Sequence, residues 1–460
     1  MVEKIKKTPQ KQPVSGARTG ALALLHQLFQ HPEETTPLPV MLSRCAQEAG
    51  LGRQDAALLS ELVYGVLRHV FLLDAALAGF LKKPGALSPQ VRMLLRLGTY
   101  EILFMGGIPA RATVNELVNL ARRRFGQGLG GLVNGVLRSV DRESQSLRLA
   151  LEEKRRALAR AGLDAEGMAE AASLPLWLTK MWVMQYGRED ACRMAQNTLA
   201  HPAPCWRANM ARDGGKVLLR QWLDLGYAPV GQGGFSAYGL EKGRAAQDQA
   251  MLENFERSGD VTRQGSSSQL AAECLAAWME REGLMQAPLW DACCGRGGKT
   301  AALLEKGAHV ALASEPSAFR MEELKGALLR LSLPMPRLFC GRAQEVEESF
   351  PLILLDVPCS GTGTLARNAE LRLRLSPERL EEASRMQASI LEHAWSRLLP
   401  GGALFYVTCA LNREENEGRI ASFLPRAGGR LVEQRMFLPL FPGQDTLFLA
   451  ILRKDGQALS

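Results

Sequence analysis

The chain has 460 residues, of which 46% are hydrophobic and 23% are charged, and its formal net charge is +8. This length exceeds what one ordinary hydrophobic core supports, so we expect two or three domains. The composition excludes a disordered chain. The excess of positive charge favours a polyanionic partner such as nucleic acid, and a basic protein without a nucleic-acid role is the alternative.

The N-terminus and the cysteines indicate where the protein works. Residues 1–16 are polar and basic, so they predict a flexible tail and not a signal peptide. No apolar run reaches membrane-spanning length, and nine irregularly spaced cysteines predict free thiols, not a disulfide framework. Six scattered histidines lack the spacing of a zinc site. We therefore expect a cytoplasmic protein that uses no metal and contacts no membrane.

Residues 17–145 are predicted to form an all-helical domain. Apolar residues between Leu59 and Val70 repeat at three- and four-residue steps, as do those of 93–104 and 114–120. Glycine and proline separate these segments. The basic cluster Arg122–Arg124 suits RNA phosphates, and a solvated helix face is the alternative interpretation.

Residues 146–245 are predicted to form a charged helical connector followed by a small α+β unit. The first part is rich in arginine, glutamate and alanine. Further on, 173–182 has a helical pattern, 204–210 resembles a strand, and 214–226 resembles a short amphipathic helix. We expect this unit to pack against the domain that follows it.

From 246 to 455, short apolar runs alternate with helical segments, which indicates a mostly parallel, Rossmann-like sheet with helices on both faces. The ligand of such a fold lies at the carboxyl ends of the strands. The predicted strands are Leu289–Ala292, His309–Ser314, Leu352–Asp356, Ala403–Cys409 and Thr446–Leu452.

A glycine-rich loop, DACCGRGGKT (291–300), follows the first of these strands and opens a helix. Its glycines allow a tight turn, and the helix N-terminus offers free N–H groups to an anion. A tight turn without a ligand would give the same pattern. Glu315 ends the second strand, at the position from which α/β nucleotide-binding domains contact ribose hydroxyls, although an exposed loop glutamate is the alternative.

Two cysteines follow two further strands. Cys359 comes shortly after Asp356 in LLDVPCSGTGT (354–364), and Cys409 ends YVTC (406–409). Adjacent strand ends of a parallel sheet face one pocket, so we expect both thiols to meet Asp356 there. A lone cysteine is usually a small buried apolar residue, but this pair beside a cofactor-type loop favours chemistry. A thiolate that adds to C6 of cytosine activates C5, which is covalent catalysis, and Asp356 is placed to stabilise the adduct.

The motifs DACCGRGGKT, LLDVPCSGTG and YVTCALNREENE resemble, in order and spacing, those of the Sun/NOP2 family of RNA m5C methyltransferases over about 260–455. The helical domain is similar to the RNA-binding antitermination factor NusB. The matching stretches are LLSELVYGVLR (58–68), LRLGTYEILF (95–104) and GLVNGVLRSV (131–140). Within the family, this fusion resembles the bacterial enzymes that modify small-subunit ribosomal RNA.

The resemblance implies methylation of cytosine C5 in RNA, with S-adenosylmethionine as the cofactor and a covalent Cys–C6 adduct. Cys409 would be the nucleophile, Cys359 would assist release of the product, and Asp356 would lie near the methyl donor and the target base. Glu414–Asn416 would give structural support. The residues that would bind the cofactor, with Glu315 on the ribose, are Cys293, Cys294, Gly295, Arg296, Gly297, Gly298, Lys299, Glu315 and Asp356.

Several positions depart from the family pattern. Cys294, Gly295 and Arg296 replace the Ala-Ala-Pro of the usual CAAPGGK loop, Cys340-Gly341 replaces an aspartate, Gln264-Gly265 replaces Gln-Asp, and 366–370 replaces Arg-Arg-x-Pro-Asp. Two alternatives therefore stay open. One is an enzyme that acts on tRNA or another ribosomal RNA site, and the other is an RNA-binding scaffold with weakened catalysis. We expect a monomer.

Overall fold

The structure is a computed structural model that describes residues 16–33, 36–241 and 244–456, so the predicted basic tail lies outside the described residues except for Gly16. Within this described part, no single helix is long and apolar enough to cross a membrane. One pair of successive helices bent by 73°, Arg53–Arg68 with Val70–Ala78, reaches that length and composition only when the two are taken together.

The chain divides into two compact units. The first unit extends to Gln196 and also contains Asn368–Arg374, and the second contains Asn197–Arg367 and the chain from Leu375 onward. The division falls inside the region predicted as a connector and small α+β unit. The helices of that region up to Asn197 therefore belong to the first unit, whereas its strands and the helix Asp213–Asp224 belong to the second.

The first unit is helical, as predicted. Its helices are α1 (Gly16–Gln30), α2 (Leu38–Glu48), α3 (Arg53–Arg68), α4 (Val70–Ala78), α5 (Pro89–Phe104), α6 (Ala110–Phe125), α7 (Gln127–Arg142), α8 (Ser144–Ala159), α9 (Ala165–Ala172) and α10 (Leu176–Asn197). The Ser88 hydroxyl accepts a hydrogen bond from Val91 N and caps α5. A non-helical Gly187, with φ of 81°, interrupts α10. The apolar stripe of α3, including Leu59, Leu62 and Val66, is fully buried in the core.

The basic cluster of the first unit lies at the C-terminal end of α6. Arg122, Arg123 and Arg124 are exposed there, where positive charge also complements the helix dipole. A Cβ at Gly130 of α7 would come within 2.3 Å of the Arg122 stem, so glycine makes room for that side chain. The cluster is therefore displayed to solvent, where RNA phosphates could reach it.

The second unit begins with a small antiparallel sheet. Its elements are β1 (Cys205–Ala208), α11 (Asp213–Asp224), β2 (Ala228–Val230), β3 (Gly234–Ser236), α12 (Arg244–Ser258) and β4 (Val261–Arg263), with strand order β2-β3-β1-β4. Four aromatic residues pack at its centre with ring centroids 4.9 to 6.2 Å apart, and they are Trp206, Trp222, Tyr227 and Phe235. This aromatic packing gives the small sheet a core of its own.

A seven-stranded sheet forms the rest of the second unit. Its elements are α13 (Ser266–Arg281), β5 (Leu289–Asp291), α14 (Gly298–Glu305), β6 (Val310–Ser314), α15 (Ala318–Leu331), β7 (Arg337–Phe339), β8 (Phe350–Asp356), α16 (Pro377–Arg397), β9 (Leu398–Thr408), α17 (Glu417–Ala427), β10 (Gly429–Phe437) and β11 (Leu447–Lys454). The strand order is β10-β11-β9-β8-β5-β6-β7, and the pairs from β9 to β7 are parallel. The predicted Rossmann-like α/β fold is confirmed, with β7 and β10 added to the predicted strands.

The strand register brings several chain segments to one edge of this sheet. Asp356 at the end of β8 pairs with Val407 near the end of β9. Because β11 is antiparallel to β9, with Phe448 opposite Thr408, the chain enters β11 where β9 ends. We call this side, where β5, β6, β8 and β9 end, the carboxyl edge. It is the ligand-binding side of open α/β sheets.

Candidate active site

The glycine-rich loop joins β5 to α14 at the carboxyl edge. Gly295 and Gly297 have φ of 56° and 79°, in the left-handed region that glycine adopts without strain. A Cβ at Gly297 would also lie 2.0 Å from Cδ1 of Leu324 on α15, whereas at Gly295 it would meet no atom within 4 Å. The loop therefore packs closely against α15 at Gly297 and faces open space at Gly295. It presents the N-terminus of α14, with its free N–H groups, to that edge.

A buried carboxyl group ties the two ends of this loop together. The Thr300 hydroxyl donates a 2.6 Å hydrogen bond to Oδ2 of Asp291. Asp291 is 1% exposed, and burial raises its pKa to about 7. Since Asp291 precedes the loop and Thr300 follows it, this contact fixes the spacing between β5 and α14.

Glu315 lies at the end of β6, the strand next to β5. Its side chain is buried, accepts a 3.0 Å hydrogen bond from Ser317 N, and lies 3.6 Å from the Arg320 guanidinium. Cys340 ends the neighbouring strand β7 and is exposed. A carboxylate beside the glycine-rich loop can accept hydrogen bonds from hydroxyl groups, as in α/β domains that bind a ribose.

The cysteines and the arginine of the loop have distinct surroundings. Burial raises the pKa of the Cys293 thiol and of the Cys294 thiol, so both stay protonated and line the loop as apolar groups. Arg296 Nε lies 3.1 Å from Oε2 of Glu323 on α15. The positive charge that departs from the family loop is therefore paired with a carboxylate outside the loop.

The two cysteines that follow β8 and β9 are in contact. Their Sγ atoms are 3.0 Å apart, and Cys409 N donates a hydrogen bond to Cys359 Sγ. The contact with Cys409, together with burial, raises the pKa of Cys359 well above its ordinary value. The sequence placed these thiols at the ends of neighbouring strands, and the structure brings them together.

A partly buried ion pair lies beside the thiols. Lys299, the second residue of α14, points its Nζ to within 2.6 Å of Oδ2 of Asp356 at the end of β8. Burial lowers the pKa of Lys299, but the charge and hydrogen bond of Asp356 outweigh it, followed by the charge of Cys409, so the pKa lies above the ordinary value. Lys299 therefore stays an ammonium that joins the glycine-rich loop to the thiol site.

Glu415 is a buried carboxylate that supports the loop of Cys359. It is fully buried and accepts hydrogen bonds from Ser360 N at 2.8 Å, Gln387 Nε2 at 2.7 Å and Asn412 Nδ2 at 2.5 Å. Gln387 also donates to the carbonyl oxygen of Pro358. Three donors thus hold Glu415 in place, and Glu415 fixes the backbone next to Cys359.

Asn416 supports the chain after Cys409 in a similar way. Its Oδ1 accepts a 2.5 Å hydrogen bond from the Thr408 hydroxyl, and its Nδ2 donates to the carbonyl oxygen of Ala410. The contacts of Glu415 and Asn416 agree with the structural role that the family resemblance implies for this segment. They also show that the two thiol-bearing loops share one polar network.

Sequence reasoning missed one group of supporting residues. Arg207 on β1 donates two hydrogen bonds to Glu305 on α14, at 2.7 and 2.9 Å, and both side chains are buried. Arg207 also donates hydrogen bonds to Gln264 and to the carbonyl oxygen of Gly298. The same carbonyl oxygen accepts a hydrogen bond from the side chain of Gln264. The small sheet therefore holds the helix that follows the glycine-rich loop. No sequence signal links Arg207 to Glu305, which lies 98 positions away.

The carboxyl edge thus combines two adjoining thiols, a lysine–aspartate pair, a glycine-rich helix start and a buried carboxylate. Thiols are soft nucleophiles, and an ammonium next to one favours attack by the anionic sulfur. Among the described residues, no group of three or more histidine, cysteine, aspartate or glutamate side chains could hold a metal ion. The arrangement is suited to covalent catalysis beside a bound nucleoside-containing cofactor.

Family models match both parts of the chain. The model described as 16S rRNA methyltransferase RsmB/F matches residues 282–448, and the NusB family model matches residues 15–142. Fold and site therefore define a methyltransferase domain that follows a NusB-type helical domain. This confirms both resemblances found in the sequence.

Similarity to individual proteins identifies the family of this chain more narrowly. A probable ribosomal RNA small subunit methyltransferase B from Bacillus subtilis (strain 168) is 31% identical over 451 residues, which cover 91% of this chain and 94% of that protein. The chain belongs to the ribosomal RNA small subunit methyltransferase B family.

Solved structures share the fold at lower identity. The crystal structure of PH0851 has a TM-score of 0.68 and 21% identity, and the alignment covers 97% of this chain and all of that one. The crystal structure of NSun6 from Pyrococcus horikoshii with SFG has a TM-score of 0.50 and 19% identity, over 62% of this chain and 99% of that one. These similarities show that the fold is shared at low sequence identity.

Proposed function

We propose that this protein transfers a methyl group from S-adenosylmethionine to C5 of a cytosine in small-subunit ribosomal RNA, through a covalent bond between Cys409 and C6. The observation that carries the proposal is the 3.0 Å contact between the Cys359 and Cys409 thiols beside the Lys299–Asp356 pair. The names of the curated relatives support ribosomal RNA as the substrate.

Each residue of the thiol site has a separate role in the proposed reaction. The Cys409 thiolate adds to C6 of cytosine, N3 takes up a proton, and C5 gains the electron density that attacks the methyl group. The Asp356 carboxylate can accept a hydrogen bond from the N4 amino group of the ring, and the Lys299 ammonium can donate one to N3. When a base takes the C5 proton, the C5–H electron pair re-forms the C5–C6 double bond, the C6–S bond to Cys409 breaks, and N3 gives back its proton. Cys359, in contact with that sulfur, assists the release.

The glycine-rich loop and Glu315 would hold the cofactor. The N–H groups at the start of α14 suit the carboxylate of its methionine part, and Glu315 suits the ribose hydroxyls. The residues fit such a group because Gly295 opens onto free space and Glu315 lies on the adjacent strand. When bound, S-adenosylmethionine supplies an electrophilic methyl group. A similar fold that was solved with SFG, an S-adenosylmethionine analogue, supports this choice.

The RNA is expected to be single-stranded or looped at the target. A stacked base must leave its helix to reach a thiol at the carboxyl edge, and unstacked loops make this easier. The exposed arginines Arg122–Arg124 of the first unit supply phosphate contacts. Because ribosomal RNA is made and assembled there, the proposal also places the reaction in the cytoplasm.

Methylation and adduct trapping test the proposal directly. Wild-type protein, S-adenosylmethionine and an in vitro transcript of small-subunit ribosomal RNA should give one m5C site by bisulfite sequencing. The Cys359→Ala variant should accumulate a covalent protein–RNA adduct that survives denaturing gels, and the Cys359→Ala/Cys409→Ala double variant should not. Methylation at C5 by the Cys409→Ala variant would disprove the nucleophile assignment.

The same experiment separates the alternatives. A transcript of small-subunit RNA that stays unmodified while tRNA is methylated would identify tRNA as the substrate. Calorimetric titration with S-adenosylmethionine distinguishes the enzyme from a scaffold, because a scaffold that has lost its cofactor site gives no binding heat. The Arg296–Glu323 pair keeps the altered loop locally neutral, so we expect binding.

A further inference from the structure

Two aromatic rings of the second unit stack at its surface. Tyr238, which follows β3 of the small sheet, and Phe441, which lies between β10 and β11, have ring centroids 4.7 Å apart and an interplanar angle of 17°. Tyr238 is 42% exposed, and the nearby Leu438 and Leu440 are 59% and 48% exposed. We call Tyr238 and Phe441 the aromatic platform. A contiguous exposed apolar patch of this kind is typical of a binding surface.

A short path along the backbone connects the aromatic platform to the thiol site. Thr446 N donates a 3.0 Å hydrogen bond to the carbonyl oxygen of Gly363, and Gly363 N donates a 2.8 Å bond to that of Cys409. Phe441 is five residues before Thr446, so their Cα atoms are at most about 18 Å apart. The turn bond from Gln444 N to the Phe441 carbonyl oxygen shortens this distance. A few nucleotides, at about 3.4 Å each when stacked, span it.

The segment that carries Phe441 is held in a defined position. Asn197 accepts a 2.7 Å bond from Gly443 N and donates a 2.9 Å bond to the carbonyl oxygen of Gln444, whose side chain donates to the carbonyl oxygen of Ala203. Gly443 has φ of 81°, and a Cβ there would come within 2.8 Å of Pro202. The exposure of the rings is therefore a property of an anchored loop.

Positive charge accompanies the aromatic platform. Arg367 donates two hydrogen bonds from Nε and Nη2 to Asp445, the shorter at 2.6 Å, and its side chain is 56% exposed. Asp445 is four residues after Phe441 and is largely buried. A half-exposed guanidinium is thus held by the same segment that carries Phe441. Proteins bind single-stranded nucleic acids with this combination of groups, in which aromatic rings stack on bases and positive charges contact phosphates.

We propose that the aromatic platform is a stacking subsite for a nucleobase that flanks the target cytosine in single-stranded RNA. The proposal rests on the function proposed above and adds a second contact that fixes the RNA strand while the cytosine enters the thiol site. Stacking tolerates any base, because every base has an aromatic face. The subsite therefore sets the path of the strand and not its sequence.

Kinetics with matched variants test this subsite. Tyr238→Ala and Phe441→Ala should raise KM for the small-subunit RNA transcript roughly 5- to 100-fold, the range expected for loss of one stacked base, while Tyr238→Trp stays near wild type. Leu329→Ala is the control, since Leu329 is 65% exposed at the far end of α15, away from the carboxyl edge. Titration with S-adenosylmethionine and thermal melting should be unchanged in the variants. Unchanged KM in both alanine variants would overturn the proposal.

Fluorescence provides a readout that does not depend on methylation. A short single-stranded RNA with one cytosine carries 2-aminopurine at successive flanking positions, and stacking on an aromatic ring quenches its emission. Wild-type protein should quench one position most strongly, and Tyr238→Ala should remove this quenching while Leu329→Ala retains it. If the wild type quenches the probe but does not methylate the cytosine, and the Cys359→Ala variant forms no adduct, the proposed function fails and the subsite stands. Equal quenching by wild type and Tyr238→Ala disproves the subsite.

Discussion

Nζ of Lys299 lies 2.6 Å from Oδ2 of Asp356, although 57 residues separate them in the chain. Lys299 opens α14 as part of the glycine-rich loop, and Asp356 ends β8 three residues before Cys359. One contact therefore joins the proposed cofactor loop to the proposed catalytic loops. Any shift of the glycine-rich loop changes the charge environment of the thiols.

Removing either partner of this pair should impair methylation strongly. Lys299→Met and Asp356→Asn should each lower kcat by at least about 100-fold, because each removes a charged group next to the reacting base. The double variant should lose much less than the product of the two losses, with a coupling of at least about 1 kcal/mol. Single-turnover methylation of the RNA transcript measures all three variants. Lys325→Met, an exposed lysine on α15, is the control, and strictly multiplicative losses would contradict the coupling.

Glu415 should be required in its charged form. All three of its side-chain contacts are N–H donors, so the amide of Glu415→Gln must place its NH2 group against at least one donor. We expect a loss of about 1–3 kcal/mol in the free energy of unfolding, together with a lower kcat. Urea unfolding and methylation rates measure the two effects. The exposed Glu381→Gln on α16 should stay within about 0.5 kcal/mol, and equal effects of both substitutions would argue against the network.

Gly297 should be the most sensitive glycine of the cofactor loop. Gly297→Ala meets a left-handed φ and a 2.0 Å contact with Leu324, so S-adenosylmethionine binding should weaken at least about tenfold. Gly307→Ala meets a similar φ of 86° with open space around it, and should cost only about 1–2 kcal/mol of stability.

A second substitution separates the two causes of this effect. Leu324→Ala in the Gly297→Ala background removes the contact and leaves the φ strain, so it should recover part of the lost affinity. Calorimetry with S-adenosylmethionine measures the series. No recovery in the double variant would mean that backbone strain alone explains the loss.

The buried Asp291 should make stability depend on pH. Its folded pKa of about 7 lies above the ordinary aspartate value of 3.8, so between these values the folded protein binds more protons than the unfolded chain. The contribution of Asp291 to the free energy of unfolding therefore falls as pH rises from about 4 to 7, by roughly 1.4 kcal/mol per pKa unit. Asp291→Asn keeps an acceptor for the Thr300 hydroxyl and removes this slope.

Denaturant titrations at several pH values test this expectation. The difference in unfolding free energy between Asp291→Asn and wild type should grow with pH up to about 7 and then level off. Parallel stability curves for the two proteins across this range would contradict a raised pKa at Asp291.

The sequence was sufficient to predict the fold and the convergence of the two thiols. The apolar stretch 352–355 is fully buried, and such a run between helices is typical of a central parallel strand. Once neighbouring strands are parallel, their ends share an edge, so Cys359 and Cys409 had to lie close together. Strand β10 escaped prediction because polar, exposed residues such as Gln434 and Arg435 interrupt its apolar ones at the edge of the sheet.

Pairings between distant side chains could not be predicted in the same way. The sequence predicts that Lys299 binds the cofactor and that Asp356 lies near both the methyl donor and the target base. It does not predict their contact, which depends on β8 lying next to β5. The Arg207–Glu305 pair and the stack of Tyr238 on Phe441 likewise depend on how the small sheet packs on the large one. Local patterns specify elements, whereas these contacts follow from tertiary packing.

The Arg207–Glu305 contact limits how the enzyme could be shortened. A fragment that began at α13 would retain the whole segment matched by the methyltransferase family model and both thiols. It would also leave Glu305 without its guanidinium partner on the helix that carries Lys299, and removing one partner of a buried pair costs about 3–5 kcal/mol. The small sheet is thus an obligatory part of the catalytic module, and a minimal engineered enzyme has to begin before β1.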